Sequence, residues 1–148
     1  MHDLLVVGGA AGASWEGPAG WSAFVIVPRT NERKMLVGAQ ADTRLERADL
    51  LGIAAAIQWY HDRYVVAEQA PAPRVLCCTD SRQAVQAGAR QAPRSVEEWL
   101  YIEWFEHRGY RIDWLWASRD QHPQVYQEAE RARHLFASAF AAPESAPV

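Results

Sequence analysis

The sequence predicts an α/β domain: a five-stranded mixed sheet, three antiparallel strands plus two parallel ones, flanked by helices. Three observations lead there. Three short apolar runs come first, separated by turn-forming residues, as in a meander. A long amphipathic helical pattern follows. Two more apolar runs then alternate with helical patterns, the arrangement that adds parallel strands to an existing sheet.

Residues 4–9 (LLVVGG) form a short apolar run ending in glycine, which reads as a buried strand. Residues 10–20 are rich in Gly, Ala and Pro and read as a turn. A second strand spans 21–27 and is stopped by Pro28, which lacks the N–H a ladder needs. Residues 30–34 are polar and read as a hairpin loop, and 35–39 as a third strand. Thr43 and Glu46 have the spacing of a capping box, in which each side chain satisfies a free backbone donor of the first turn. Leu50, Ile53, Ala54, Ile57 and Tyr60 then recur at helical spacing, so this helix runs to about residue 64. Pro71 and Pro73 break the chain before a compact strand at 75–79 (VLCCT). Ser81 caps a short helix that ends near Arg90. Ser95, with Glu98 three residues on, caps another that stops near Gly109. Residues 110–116 alternate as a fifth strand, and a last helix covers 125–140. One domain, 1–140, is expected, with 141–148 (AAPESAPV) as a disordered tail. The expected core includes Ile53, Ile57, Leu76, Trp114 and Phe136.

Composition narrows the function. Hydrophobic residues make up 49% of the 148, enough for a sizeable core. Seven tryptophans read first as core packing and helix anchors, and second as a surface on which bases could stack. A net charge of −3 and a pI of about 5.9 argue against tight non-specific binding to phosphate backbones. No apolar run is long enough to span a membrane, and the first residues lack the pattern of a signal peptide. Cys77 and Cys78 are adjacent and would point to opposite faces of a strand, so a disulfide between them is not expected. A reducing, cytoplasmic location follows as the expectation.

Three acids stand where chemistry could sit. Asp80 follows a buried strand and precedes a helix, the place where α/β sheets present functional groups. It could equally serve only as part of the helix cap. Asp49 lies one position before the apolar stripe of the first helix, and alone reads as a first-turn acid favoured by the helix dipole. Glu130 lies on the last helix, with His134 four residues on as an ordinary surface partner. Together they matter more, because a hard cation such as Mg²⁺ needs clustered carboxylate oxygens. Spacing alone does not establish that they converge.

Four motifs, in order, resemble ribonuclease H over residues 4–140. VLCCTDSRQAVQAG at 75–88 looks like that family's strand–TDS–helix segment, with Asp80 in a metal-ligand place. RADLLGIAAAI at 47–57 is similar to its first helix, with Asp49 in place of the usual Glu. IDWLW at 112–116 resembles the strand that ends in W-x-W. QEAERA at 127–132 is similar to the start of the last helix, with Glu130 where Asp belongs. His122 lies in the preceding loop, where the family carries a mobile His that helps product departure. The resemblance implies Mg²⁺ or Mn²⁺ at Asp49, Asp80 and Glu130, with His122 as a further catalytic residue. It also implies nucleic-acid contacts around Arg44 and Ser81, and an RNA/DNA hybrid as the partner.

The departures shape the expectation as much. Where the family's first strand ends in T-D-G, this chain has Val7, Gly8 and Gly9, so Gly8 stands in the place of the first metal-binding Asp. Asp3 is no substitute, because five residues of strand is about 16 Å and odd spacing puts it on the other face. Glu16, in the following loop, is the other acid within reach in sequence. The family's T-N-N run before the first helix is replaced by Arg44, Leu45 and Glu46, and between the later helices only Arg90 and Arg94 offer positive charge. The expectation is therefore metal-dependent hydrolysis of RNA in hybrids, weakened or lost at Gly8. The alternative is a non-catalytic protein-interaction or nucleic-acid-binding module on the same fold. A further expectation is that Asp49, Asp80 and Glu130 converge at the ends of the first and fourth strands. On that reading Gly8→Asp would strengthen metal binding.

Overall fold

The computed structural model describes residues 1–12, 18–41 and 44–145, with side chains described to Ser138. Thr43, the expected helix cap, and Glu16, the candidate loop acid, lie outside the described residues.

The sheet is built as its pattern requires. Strands β1 (Leu4–Gly12), β2 (Ala19–Val27) and β3 (Glu32–Gln40) form an antiparallel meander. Strand β4 (Arg74–Thr79) then joins the free side of β1 in parallel, and β5 (Arg111–Trp116) joins β4 in parallel. The resulting order is β3-β2-β1-β4-β5. β1 therefore lies at the centre; β4 pairs with its first half and ends beside Gly8, while β1 runs on to Gly12 against β2 alone. All three strands of the meander are longer than their apolar runs suggest, because pairing carries the ladder into small residues in β1 and β2 and into charged ones, Glu32–Lys34, in β3.

Helix α1 (Leu45–Tyr60) packs against β1, β2 and β3 on one face, burying Leu50, Ile53 and Ile57 completely. It continues as a turn of π-helix over His61–Val66. Helix α2 (Arg82–Gly88) packs beside β4 and β5; Ser81 caps it by accepting a hydrogen bond from the Ala84 N–H at 3.1 Å. Helix α3 (Trp99–Glu106) begins later than its Ser95 signal. Glu98 does not cap it. Its carboxylate instead accepts two 2.9 Å bonds from Arg47 Nε, a long-range pairing that overrides the local capping pattern. Gly109, at φ 92°, takes the left-handed turn that ends this segment.

Helix α4 (Pro123–Ser145) covers the opposite face of β1, β2 and β3 and runs past residue 140, where the sequence pattern placed its end. It lies very close to β2: a Cβ at Gly20 would sit 1.9 Å from the Ala129 carbonyl oxygen, so only glycine permits this approach. The buried Ser22 hydroxyl donates to the Val125 carbonyl and ties the first turn of α4 to the sheet.

Three core expectations need correction. On β4 it is Val75, Cys77 and Thr79 that face the α1 side and are buried, while Leu76 is half-buried on the other face. α4 covers β1 to β3, so the second face of β4 and β5 is less protected, and Leu115 there is 50% exposed. Trp114 and Phe136 are likewise half-buried.

Candidate functional site

The C-terminal end of β4, beside the middle of β1, brings two of the three expected acids together. Asp49, on the second turn of α1, is buried beneath the sheet end and only 3% exposed. Its Oδ2 accepts a 2.6 Å bond from the Thr79 hydroxyl, which in turn accepts from the Ser81 N–H at 3.1 Å. Its Oδ1 has no hydrogen-bond partner. Burial pushes the Asp49 carboxyl up to about 7, opposed by the Thr79 bond and reinforced by the nearby charge of Asp80. A buried carboxylate with one unmatched oxygen is costly, and the neutral acid is cheaper to bury.

Asp80 stands at the surface end of β4. Its backbone is fixed from two sides: its N–H donates to the Tyr126 hydroxyl at 3.0 Å, and its carbonyl accepts from Trp116 Nε1 at 3.0 Å. Its carboxylate faces Arg119, whose Nε lies 3.6 Å from Oδ2. Arg119 belongs to a 3-10 turn (Arg119–Gln121) between β5 and α4. Its guanidinium also lies over the Tyr126 ring, 4.6 Å from the centroid, and donates to the Ala10 carbonyl at 3.3 Å. Tyr126 completes the cluster by donating to the Gly8 carbonyl at 3.4 Å. Burial raises its phenol pKa, so it remains a neutral donor.

Glu130 does not join them. Its carboxylate is held by Arg133 and His134 on its own helix, and Arg133 lowers its pKa. Among the described residues, no three His, Cys, Asp or Glu side chains come together as a metal-holding group. The expected convergence of Asp49, Asp80 and Glu130 is therefore corrected to a pair, because i,i+3 and i,i+4 partners retain Glu130 on the helix surface. His122 follows the 3-10 turn at the start of α4 and is half-buried.

The middle of β1, where β4 ends, has no room for a further ligand without a shift of its neighbours. A Cβ at Gly8 would lie 2.7 Å from Ile53 Cγ1 and 3.0 Å from Asp49 Oδ1. A Cβ at Gly9, on the opposite face, would lie 2.9 Å from Val125 Cγ1 and 3.1 Å from the Tyr126 ring. The ribonuclease H resemblance implies divalent metal here, and this donor set does not fit it. One acid is buried and held by a hydroxyl, one is paired with a guanidinium, one is elsewhere, and the central strand supplies no side-chain oxygen.

The remaining basic residues divide clearly. Arg44 is exposed at the start of α1. Arg82 lies over the Trp116 ring at 4.1 Å. Arg94 is buried in ion pairs with Glu103 and Glu106 and donates to the Ala87 and Gly88 carbonyls, while Arg90 pairs with Glu106. These last two brace α2 against α3 rather than offering a basic loop. The sequence reading missed Thr79, Arg119 and Tyr126. Only the TDS motif hinted at the first; the others depend on a turn folding back over the sheet end.

No family model matches the chain, and no curated protein matches it. Solved structures do. The N-terminal RNase H domain of Rv2228c from Mycobacterium tuberculosis, solved as a fusion with maltose binding protein, aligns with a TM-score of 0.77 at 16% identity, over 95% of this chain and 100% of that one. LC11-RNase H1 in complex with an RNA/DNA hybrid aligns at 0.78 and 12% identity, over 91% and 99%. RNase H1 from the halophilic archaeon Halobacterium salinarum aligns at 0.69 and 10%, over 87% and 96%. The chain thus has the ribonuclease H-like fold.

Proposed function

Starting from a ribonuclease H-like fold, we propose that this protein is a nucleic-acid-binding module in which metal-dependent hydrolysis of RNA/DNA hybrids is weak or absent. The observation that carries the reading is the state of the sheet end. Asp80 is paired with Arg119, and Asp49 is buried with its proton preference raised. Two-metal hydrolysis needs ions that hold both the attacking water and the leaving oxygen. A carboxylate paired to guanidinium and a buried acid with one oxygen held by a hydroxyl are poor ligands for either.

Support for nucleic acid comes from the fold neighbour solved on an RNA/DNA hybrid. Exposed Arg44 and the Arg82–Trp116 stack supply cations and an aromatic edge near the same end. Ser81 adds little to this surface, since its hydroxyl caps α2 and its N–H donates to the Thr79 hydroxyl. A second reading, a protein-interaction module, is favoured by the edge strand β3, where Val37 is 49% exposed near Leu135 at 63%.

A fluorescently labelled hybrid tests this directly. Anisotropy should report salt-dependent binding, weaker after Arg44→Glu or Arg82→Glu, while gels show little or no cleavage in millimolar Mg²⁺ or Mn²⁺. Efficient cleavage that Asp80→Asn abolishes would overturn the non-hydrolytic reading. Absence of binding at low salt would favour the protein-interaction reading. Among the described residues no helix is long and apolar enough to cross a membrane.

A further inference from the structure

We propose that Arg119 is a built-in counter-ion that excludes divalent cations from Asp80. This rests on the non-hydrolytic reading above and names the device that enforces it. Asp80 points out of the sheet end where its fold places a ligand, and its carboxylate is 33% exposed, so it is open to a cation from solution. The cation it meets is supplied by the chain. Three independent contacts hold the Arg119 guanidinium there: the carboxylate at 3.6 Å, the Tyr126 face at 4.6 Å and the Ala10 carbonyl at 3.3 Å.

These contacts suit a guanidinium and not a metal ion. A planar, delocalised cation stacks on a ring and donates in several directions at once. A hydrated divalent ion needs several oxygens in a compact shell, and here an aromatic ring occupies one side. Tyr126 therefore has two tasks. Its hydroxyl fixes the Asp80 and Gly8 backbones, and its ring seats Arg119. The Arg119 side chain is 57% exposed, so the ion pair itself is weak and salt-sensitive. The plug is consequently removable by a single surface substitution that leaves the core untouched.

The test is a Mn²⁺ titration by calorimetry at low ionic strength, without nucleic acid, on wild type, Arg119→Gln, Arg119→Lys and the double variant Arg119→Gln/Asp80→Asn. Wild type should show no saturable binding at millimolar Mn²⁺. Arg119→Gln should bind Mn²⁺ at least about ten-fold more tightly than wild type, though still weakly because Asp80 alone supplies a free carboxylate, and the double variant should lose that gain. Arg119→Lys retains the charge but not the planar stack, and should gain less than Arg119→Gln. Equal binding by wild type and Arg119→Gln, or a gain that survives Asp80→Asn, would overturn the proposal. So would a gain in Arg119→Lys as large as in Arg119→Gln. Because the titration contains no hybrid, its failure is distinguishable from failure of the nucleic-acid reading. In that case hybrid binding without cleavage could still hold, with Arg119 reduced to an ordinary surface pair.

Discussion

Gly8→Asp is expected to destabilise the protein by about 3 kcal/mol or more and to leave metal binding unimproved. The sequence alone suggested the opposite, that restoring an acid at this position would rebuild a site. The packing decides it. The new Cβ would sit 2.7 Å from Cγ1 of Ile53, a residue wholly buried under the sheet, so the α1–β1 contact must open. Overpacking a well-filled core costs about 1–3 kcal/mol. The carboxylate would then lie beside Asp49, whose Oδ1 is 3.0 Å from that Cβ and already lacks a partner. An unpaired buried polar group adds about 1–3 kcal/mol, and more if charged. For a domain of this size each kcal/mol corresponds to about 2–4 °C in melting temperature. Urea denaturation of wild type, Gly8→Ala and Gly8→Asp separates the two terms, since alanine carries only the packing cost. A loss under about 1 kcal/mol for the aspartate, or restored stability with Mn²⁺, would contradict the account.

Asp49→Asn should stabilise the protein at pH 8 and lose that advantage in acid. Burial raises the folded-state pKa of Asp49 to about 7, from 3.8 when solvated, with desolvation the largest cause. The folded state therefore binds a proton more tightly than the unfolded chain. Stability from this group is unaffected below about pH 4, falls as pH rises between about 4 and 7, and is at its lowest above 7. The ceiling of the effect is on the order of 4 kcal/mol, at 1.36 kcal/mol per unit. Asparagine keeps the volume and can still accept the Thr79 bond, yet never ionises. Urea titrations at pH 4, 6 and 8 should show a gain for Asp49→Asn that grows with pH. A pH-independent difference, or a variant less stable than wild type at pH 8, would show that the ionised acid is accommodated.

Much of the fold was legible because its signals are local. Strand runs, the Leu50–Ile53–Ile57 stripe and the Ser81 cap each follow from a few neighbouring residues. Where the reading failed, a distant group had intervened. Glu98 left its capping role for Arg47, and Leu76 lost its core place because α4 stops short of covering β4. The site divides in the same way. Asp49 and Asp80 could be placed together through two motifs on adjoining elements. Glu130 was assigned with them through the last-helix motif, but that motif carries no information on the competing partners Arg133 and His134 that hold its carboxylate. Arg119 and Tyr126 carry no periodic signal. Their importance arises only when the turn after β5 folds back across the end of β1.

Anomalous diffraction from crystals soaked in Mn²⁺ tests most directly whether this site, with Asp49 buried and Asp80 beside Arg119, leaves no place for a divalent ion. The account predicts no manganese peak near Asp49 or Asp80, with the Arg119 guanidinium still against the Asp80 carboxylate and the Tyr126 ring. A manganese ion bridging the carboxylates of Asp49 and Asp80, with Arg119 displaced, would contradict it.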